Sequence, residues 1–139
     1  RELYSTGWMH NRVRMIVGSF LVKHLLINWT EGEKHFKNCL LDYNEANNVC
    51  GWQWVAGCGA DAAPYFRIFN PILQGEKFDK SGSYVKKWVP ELKNIPLKFI
   101  HKPWELKDQS LLKLDKDYPS PIVNHEKARI KALEAFKKI

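Results

Sequence analysis

The sequence predicts an all-α fold, and three observations carry that prediction. Apolar residues recur at helical spacing in several stretches, capping residues and prolines bound those stretches, and none alternates apolar and polar residues as a strand would. The chain has 139 residues, of which 45% are hydrophobic. A chain of this length supports one sizeable core but not two, so we expect one domain or one piece of a domain.

The chain opens with two predicted helices. A short helical end at residues 1–5 leads to a turn at Gly7, since glycine is favoured just after a helix C-terminus. A second helix is expected over about residues 11–26, because its apolar side chains recur at helical spacing and point to the core. These side chains are Val13, Ile16, Val17, Phe20, Leu21 and Leu25.

The start of this second helix carries polar and basic residues rather than apolar ones. His10, Asn11, Arg12 and Arg14 cluster where backbone N–H groups are free and the helix dipole is positive, which favours an anion. Arg12 and Arg14 are two positions apart, so they diverge by roughly 200° around the helix and should serve different partners. The alternative is that both are solvated surface residues.

A third helix is predicted over about residues 31–41. Thr30 and Glu33 match the capping-box pattern, and Trp29 lies in the short connection before them. Phe36 and Leu40 fall on the side that faces the core.

Residues 42–70 form the central run of the chain. Asp42 or Asn44 can cap a helix there, and on that helix Asn48 and Trp52 share a face while Trp54 points elsewhere. A buried helix with an aromatic stripe explains a pair of tryptophans in general. The neighbouring asparagines argue against that simple interpretation, because each buried amide would need partners.

The rest of the chain predicts shorter elements. Pro71 suits the first position of a helix, a turn follows at residues 78–82, and a short helix before Pro90 holds Tyr84, Val85 and Trp88. Prolines over residues 95–121 predict loops and single turns. A basic amphipathic helix is expected over about residues 124–138, with its apolar side formed by Ala128, Ala132, Leu133 and Phe136.

Charge and cysteine content narrow the class of protein. The net charge is +7, and the excess lies in residues 80–139, where lysine runs suit solvated helix faces; net charge alone does not argue DNA binding. Three cysteines, Cys39, Cys50 and Cys58, include no CxxC pair, which indicates neither a disulfide framework nor a zinc site and fits a reducing cytosol. No apolar run reaches the roughly 18 residues needed to cross a bilayer, and we expect no signal peptide.

Four sequence motifs together resemble the photolyase/cryptochrome family. They are TGWMHNRVRM (6–15), NWTEGE (28–33), NNVCGWQW (47–54) and GADAAPYFRIFNPILQGEKFD (59–79), in family order and spacing. The resemblance covers essentially the whole chain. It is greatest to the C-terminal half of the FAD-binding helical domain of bacterial class I cyclobutane-pyrimidine-dimer photolyases. The chain begins at Arg1 without Met, so we expect a fragment that lacks the first part of this domain and the N-terminal antenna α/β domain.

The resemblance implies an FAD site. The arginine that pairs with an aspartate beside the flavin corresponds to Arg14, and its partner to Asp42. The Asp-x-Asp of the family becomes Asp42, Tyr43 and Asn44 in this chain, and Asn44 keeps the size of the second aspartate without its charge. Asn48 corresponds to the position that faces the redox-active ring nitrogen and tunes the flavin.

The resemblance also implies repair of UV-damaged DNA by light-driven electron transfer from reduced FAD to a flipped-out dimer. Trp52 and Trp29 correspond to the proximal and middle members of the electron-transfer chain. The residues expected at the dimer and the flanking strand are Asn11, Arg12, Met15, Trp54, Arg67 and Gln74. An antenna chromophore of folate or deazaflavin type is expected only on the N-terminal domain. We expect a monomer in the bacterial cytoplasm, associated with the nucleoid when bound to DNA, with no metal and no membrane partner.

Two other functions stay open. A cryptochrome photoreceptor would share the flavin and the tryptophan chain without repair, but many cryptochromes carry Asp or Cys where this chain has Asn48. A helical fragment with no activity of its own is the second alternative, and we expect the isolated 139 residues neither to bind FAD well nor to repair DNA. Within the repair enzymes, the six-four and single-strand-preferring types are less favoured, because the words around Trp52 and at residues 61–71 suit the dimer-repairing type.

Overall fold

The computed structural model describes residues 1–108, 110–112 and 116–137. These residues form two compact units, and the expectation of one core is wrong. One unit comprises Glu2–Phe69 and Val123–Ile139 and is called the cleft unit; the other comprises Arg1 and Asn70–Ile122 and is called the small unit. The described ranges contain helices and turns without any β-strand, as predicted. Within those ranges no helix is long and apolar enough to span a membrane.

The cleft unit is built from five α-helices and one π-helix. They are α1 (Glu2–Thr6), α2 (Asn11–Ser19), the π-helix (Phe20–His24), α3 (Trp29–Cys39), α4 (Glu45–Ala56) and α7 (His125–Phe136). Its core holds Leu3, Met9, Val22, Phe36, Leu40, Trp52 and Ala56. Phe36 and Leu40 point inward as predicted, and the predicted turn at Gly7 is present at φ +66°.

The second helix differs from its prediction. It does not run unbroken to Leu26: α2 ends at Ser19, and the chain continues through the π-helix, where the amide of Leu25 donates to the Phe20 carbonyl at 3.1 Å. A π-turn holds more residues per turn than an α-turn, so it changes which side chains face inward. Its last three residues are consecutive and all buried, whereas Val17, predicted to face the core, is exposed.

The third helix begins two residues before its predicted start. Asn28 is its N-cap, and the Asn28 side chain accepts from the amide of Thr30 at 3.1 Å, so the predicted capping box is wrong. Trp29 is therefore the first helical residue rather than part of a connection. Glu33 does not cap this helix and instead accepts hydrogen bonds from Asn48.

The helix of the central run confirms one of its two candidate caps. Asn44 is the N-cap of α4, and its side chain accepts from the amide of Asn47 at 3.0 Å. Asp42 does not cap and instead pairs with Arg14. Gly57 ends the helix in the left-handed region at φ +81°, a conformation that glycine adopts without steric penalty.

The small unit confirms the predicted order of short elements. It contains α5 (Pro71–Phe78), α6 (Ser83–Trp88) and three 3-10 turns at Pro90–Leu92, Leu97–Phe99 and Pro103–Glu105. Its core is Leu92, Ile95, Ile100 and Leu112. In the cleft unit, α7 begins after the cap Asn124 and buries Ala128 and Ala132 as predicted; its predicted last residue, Lys138, lies outside the described residues.

Candidate functional site

A cleft of about 520 Å³ opens in the cleft unit between α2, α4 and the segment that joins α3 to α4. It gathers most of the site residues that the sequence predicts. Those in its lining are Asn11, Arg14, Met15, Asp42, Tyr43, Asn44, Asn48, Trp52 and Trp54. Phe36, Leu40 and Val55 add apolar wall.

The predicted ion pair between Arg14 and Asp42 lies at this cleft. One guanidinium nitrogen of Arg14 is 3.0 and 2.8 Å from the two carboxylate oxygens of Asp42. The Arg14 Nε donates to the backbone oxygen of Met9 at 2.7 Å, which orients the guanidinium. Side-chain exposures of 25% for Arg14 and 48% for Asp42 make the pair worth little for stability, so its value is as a fixed polar edge.

Asn48 is buried beside the cleft with its amide held on one side. Its Nδ2 donates to the backbone oxygen and to Oε1 of Glu33, each at 3.0 Å. Both contacts use the donor end of the amide, which leaves the acceptor Oδ1 for other partners. The hydroxyl of Tyr43 also donates to Glu33 Oε1, at 3.5 Å.

Trp52 is buried at the floor of the cleft. Its ring meets Phe36 edge-on, with ring centroids 5.1 Å apart, and a Cβ added at Gly32 would overlap the indole. The indole Nε1 is buried and makes no hydrogen bond to any residue that the structure describes. Trp29 packs against the same core from the first turn of α3.

Trp54 forms a different wall of the cleft, as the sequence predicts from its position on α4. The Arg67 guanidinium lies over the Trp54 ring, 5.8 Å from its centroid. Asn11 and Met15, one turn apart on α2, also line the cleft, and Asn11 Nδ2 lies 3.8 Å from the Met15 sulfur. Together these residues present a cation, an amide and apolar surface.

Four predicted residues are not in the cleft lining: Arg12, Trp29, Gln74 and Arg67, whose guanidinium lies over Trp54. Arg12 lies on the first turn of α2, and its amide donates to His10 Nδ1 at 3.1 Å. Trp29 is on α3, and Gln74 is on α5 in the small unit.

Sequence reasoning missed Glu33 and Gly32. The spacing of Glu33 from Thr30 predicts a capping box instead. The signal that could have found it was the requirement that a buried Asn48 amide have partners. Gly32 carried no signal, since only the packed indole shows why a side chain is excluded there.

The cleft fits a flat heteroaromatic group with polar edges, such as a flavin. Its apolar walls suit a ring system, while the ion pair and the acceptor Oδ1 of Asn48 suit ring heteroatoms. Among the described residues, no group of three or more His, Cys, Asp or Glu could hold a metal ion.

Comparison with known proteins gives one family. A family model described as the FAD binding domain of DNA photolyase matches residues 1–138. The deoxyribodipyrimidine photo-lyase of Agrobacterium fabrum is 59% identical over 140 residues, which cover 98% of this chain and 29% of that protein. The chain therefore spans less than a third of the length of this curated relative.

The fold is shared with solved structures, of which two are described. A class III photolyase from Agrobacterium tumefaciens superposes with a TM-score of 0.94 at 58% identity, over 99% of this chain and 30% of that one. A cryptochrome from Synechocystis superposes with a TM-score of 0.91 at 42% identity, over 96% of this chain and 28% of that one.

Proposed function

We propose that this chain, which belongs to the family of FAD binding domains of DNA photolyase, forms part of a deoxyribodipyrimidine photo-lyase. Such an enzyme is a carbon–carbon lyase that repairs cyclobutane pyrimidine dimers in DNA. The single observation that carries the proposal is the cleft, which combines the Arg14–Asp42 pair, the oriented amide of Asn48 and a Trp52 floor in one place.

FAD is the cofactor proposed for this cleft. Arg14 and Asp42 would bind one polar edge of the flavin, with Tyr43 and Asn44 beside them on the segment that leads into α4. Asn48 would present Oδ1 to the ring, because Glu33 engages its Nδ2. When bound, reduced FAD would supply the photoexcited electron that splits the cyclobutane ring.

The residues near Trp54 are proposed to bind the damaged DNA. Trp54 and Met15 would form the apolar wall that a flipped-out dimer requires, and Asn11 would supply a hydrogen bond. Three further residues would contact the flanking strand, where phosphate contacts fix position without reading sequence. They are Arg12, Arg67 and Gln74.

Trp52 and Trp29 are proposed as electron relays that keep the cofactor reduced. The Trp52 ring packs edge-on against Phe36 and so closely against Gly32 that a side chain there would overlap it. This packing suits a relay whose geometry must not change. Trp29 contacts the same core and would be the next member.

The test is the loss of cyclobutane dimers from a UV-treated thymine oligonucleotide under blue light. The full-length protein carries reduced FAD, and a dark sample and an Asn48→Ala variant serve as controls. Repair in light and not in darkness supports the proposal and makes the Asn44 departure from the family harmless. A protein that binds and photoreduces FAD but repairs nothing overturns it.

A cryptochrome photoreceptor is the second candidate, favoured by the similarity to the Synechocystis cryptochrome. The same assay separates the two, since only the photolyase removes dimers. The class of photolyase is also part of the proposal. The sequence motifs favour class I, while one similar structure is named a class III photolyase.

Several features of the whole protein also belong to this proposal. An antenna chromophore would sit on an N-terminal domain, and the isolated chain would be inactive. The protein would act as a monomer in the cytoplasm and lie at the nucleoid when bound to DNA.

A further inference from the structure

Lys23 is the most deeply buried charged residue among the described residues of the cleft unit, with 1% of its surface exposed. It lies in the π-helix, and its Nζ donates to the backbone oxygen of Arg67 at 2.8 Å. The ring of Phe136 on α7 is 5.8 Å away at its centroid. Within residues 1–108, 110–112 and 116–137, no carboxylate forms an ion pair with this lysine.

Ser19 acts on the same segment from one turn earlier. It is also 1% exposed, and its Oγ accepts from the amide of Phe69 at 3.2 Å. Lys23 binds the Arg67 carbonyl and Ser19 binds the Phe69 amide, so the two side chains hold the backbone on both sides of Ile68. The Arg67 amide donates to the Pro64 oxygen at 2.8 Å, so the segment is a turn that is anchored at both ends.

What these two residues hold is the backbone that carries the Arg67 guanidinium over Trp54. The arginine side chain is exposed, and its position over the ring depends on where its own backbone lies. A long exposed side chain is held poorly by itself because of its rotamer entropy. A fixed backbone removes part of that freedom.

The arrangement is unfavourable for folding. Burial, together with the nearby charge of Arg67, lowers the pKa of Lys23 to about 8. An apolar residue of similar volume avoids this desolvation cost, which offsets the loss of the one hydrogen bond to the Arg67 oxygen. A methionine at position 23 would therefore lose the contact with Arg67 without a loss of global stability.

We propose that Lys23 is a positioning residue that fixes the Arg67 backbone and thereby holds the guanidinium against Trp54 at the wall of the cleft. Its consequence for damaged-DNA affinity rests on the proposed function. Lys23 does not touch the DNA itself, and it acts only through Arg67.

The first test measures local order without DNA. Hydrogen exchange of backbone amides is followed over residues 63–69 in the full-length protein with FAD bound, for Lys23→Met and for the matched control Lys34→Met, whose lysine is exposed on α3. Lys23→Met should speed exchange in this segment about tenfold while the melting temperature stays equal or rises. Unchanged exchange in the segment, or equal acceleration throughout the unit, overturns the proposal.

The second test is a double-variant cycle on damaged-DNA binding. Lys23→Met should raise the Kd several-fold and leave kcat at saturating DNA unchanged, and in an Arg67→Ala background it should change the Kd by less than about twofold. Additive effects would overturn the proposal, because Lys23 would then act independently of Arg67. If Arg67→Ala leaves the Kd unchanged, the DNA role in the proposed function fails, and the exchange measurement alone decides whether Lys23 positions the segment.

Discussion

Asn48 and Glu33 are joined by two hydrogen bonds that use the same donor: Asn48 Nδ2 lies 3.0 Å from the Glu33 backbone oxygen and 3.0 Å from Glu33 Oε1. Since both partners are acceptors, the amide is oriented with its nitrogen toward α3. Its Oδ1 is then available on the other side. Glu33 thus decides which end of Asn48 is offered to the cleft.

Removing the Glu33 carboxylate tests that orientation. Glu33→Ala leaves Asn48 with one acceptor, so the amide is expected to be less well fixed and the FAD affinity of the full-length protein to fall by about three- to tenfold. Glu33→Gln keeps an acceptor oxygen and should retain most of the affinity. Equal affinity in the Ala variant and the wild type would show that the backbone oxygen alone orients Asn48. The measurement is a fluorescence titration of FAD.

Trp52→Phe tests the proposed electron relay. The variant keeps an aromatic ring against Phe36 but raises the energy needed to remove an electron, so photoreduction of oxidised flavin should be lost. Repair by protein whose FAD was reduced chemically should continue at nearly the wild-type rate. Both activities are measured on one preparation, and survival of photoreduction would exclude Trp52 as the relay.

Arg12→Ala tests the proposed phosphate contact on the first turn of α2. The variant should bind damaged DNA more weakly at low salt, and the slope of log K against log salt should become shallower by about one. The affinity is measured at several salt concentrations, with Lys34→Ala as a charge-matched control from α3. An unchanged slope would show that Arg12 does not contact a phosphate.

Gly32→Ala tests the packing that holds Trp52. The added methyl group overlaps the buried indole, so the free energy of unfolding should fall by about 1–3 kcal/mol. This loss exceeds the roughly 1 kcal/mol gained in helix propensity. Gly51→Ala on α4 is the matched control, since its methyl group meets no atom within 4 Å and should stabilise slightly. Denaturant unfolding of both variants checks the difference, and equal stabilities would contradict it.

The contact between the buried His24 and the half-buried His125 predicts sensitivity to acid. His24 Nε2 lies 2.8 Å from His125 Nδ1, and burial lowers the pKa of both rings, with Arg129 lowering that of His125 further. Because each folded-state pKa is below the ordinary value of about 6.5, the unfolded chain binds more protons in acid. The stability of this contact is therefore complete above about pH 6.5 and is lost as the pH falls through the lowered values.

The variant His125→Gln provides the measurement for that pair. Glutamine stays uncharged across this range, so the variant should lose less melting temperature than the wild type between pH 7.5 and pH 5.5. Equal losses in the two proteins would assign the acid sensitivity to other groups.

The sequence by itself determined the local features of this protein. Asn44, Asn70 and Asn124 each cap a helix by accepting from amides only two or three positions away, so the signal lies within a few letters. The family resemblance indicated the Arg14–Asp42 pair and most of the cleft lining.

Only the tertiary structure decided how the buried polar groups are satisfied. Asn48 donates a hydrogen bond to Glu33, 15 positions away, and Lys23 donates one to the Arg67 oxygen, 44 positions away. The π-helix that turns Lys23 inward and the division into two cores likewise escaped prediction. The physical reason is that a buried donor takes whichever acceptor the packing brings to it, and sequence spacing does not encode that choice.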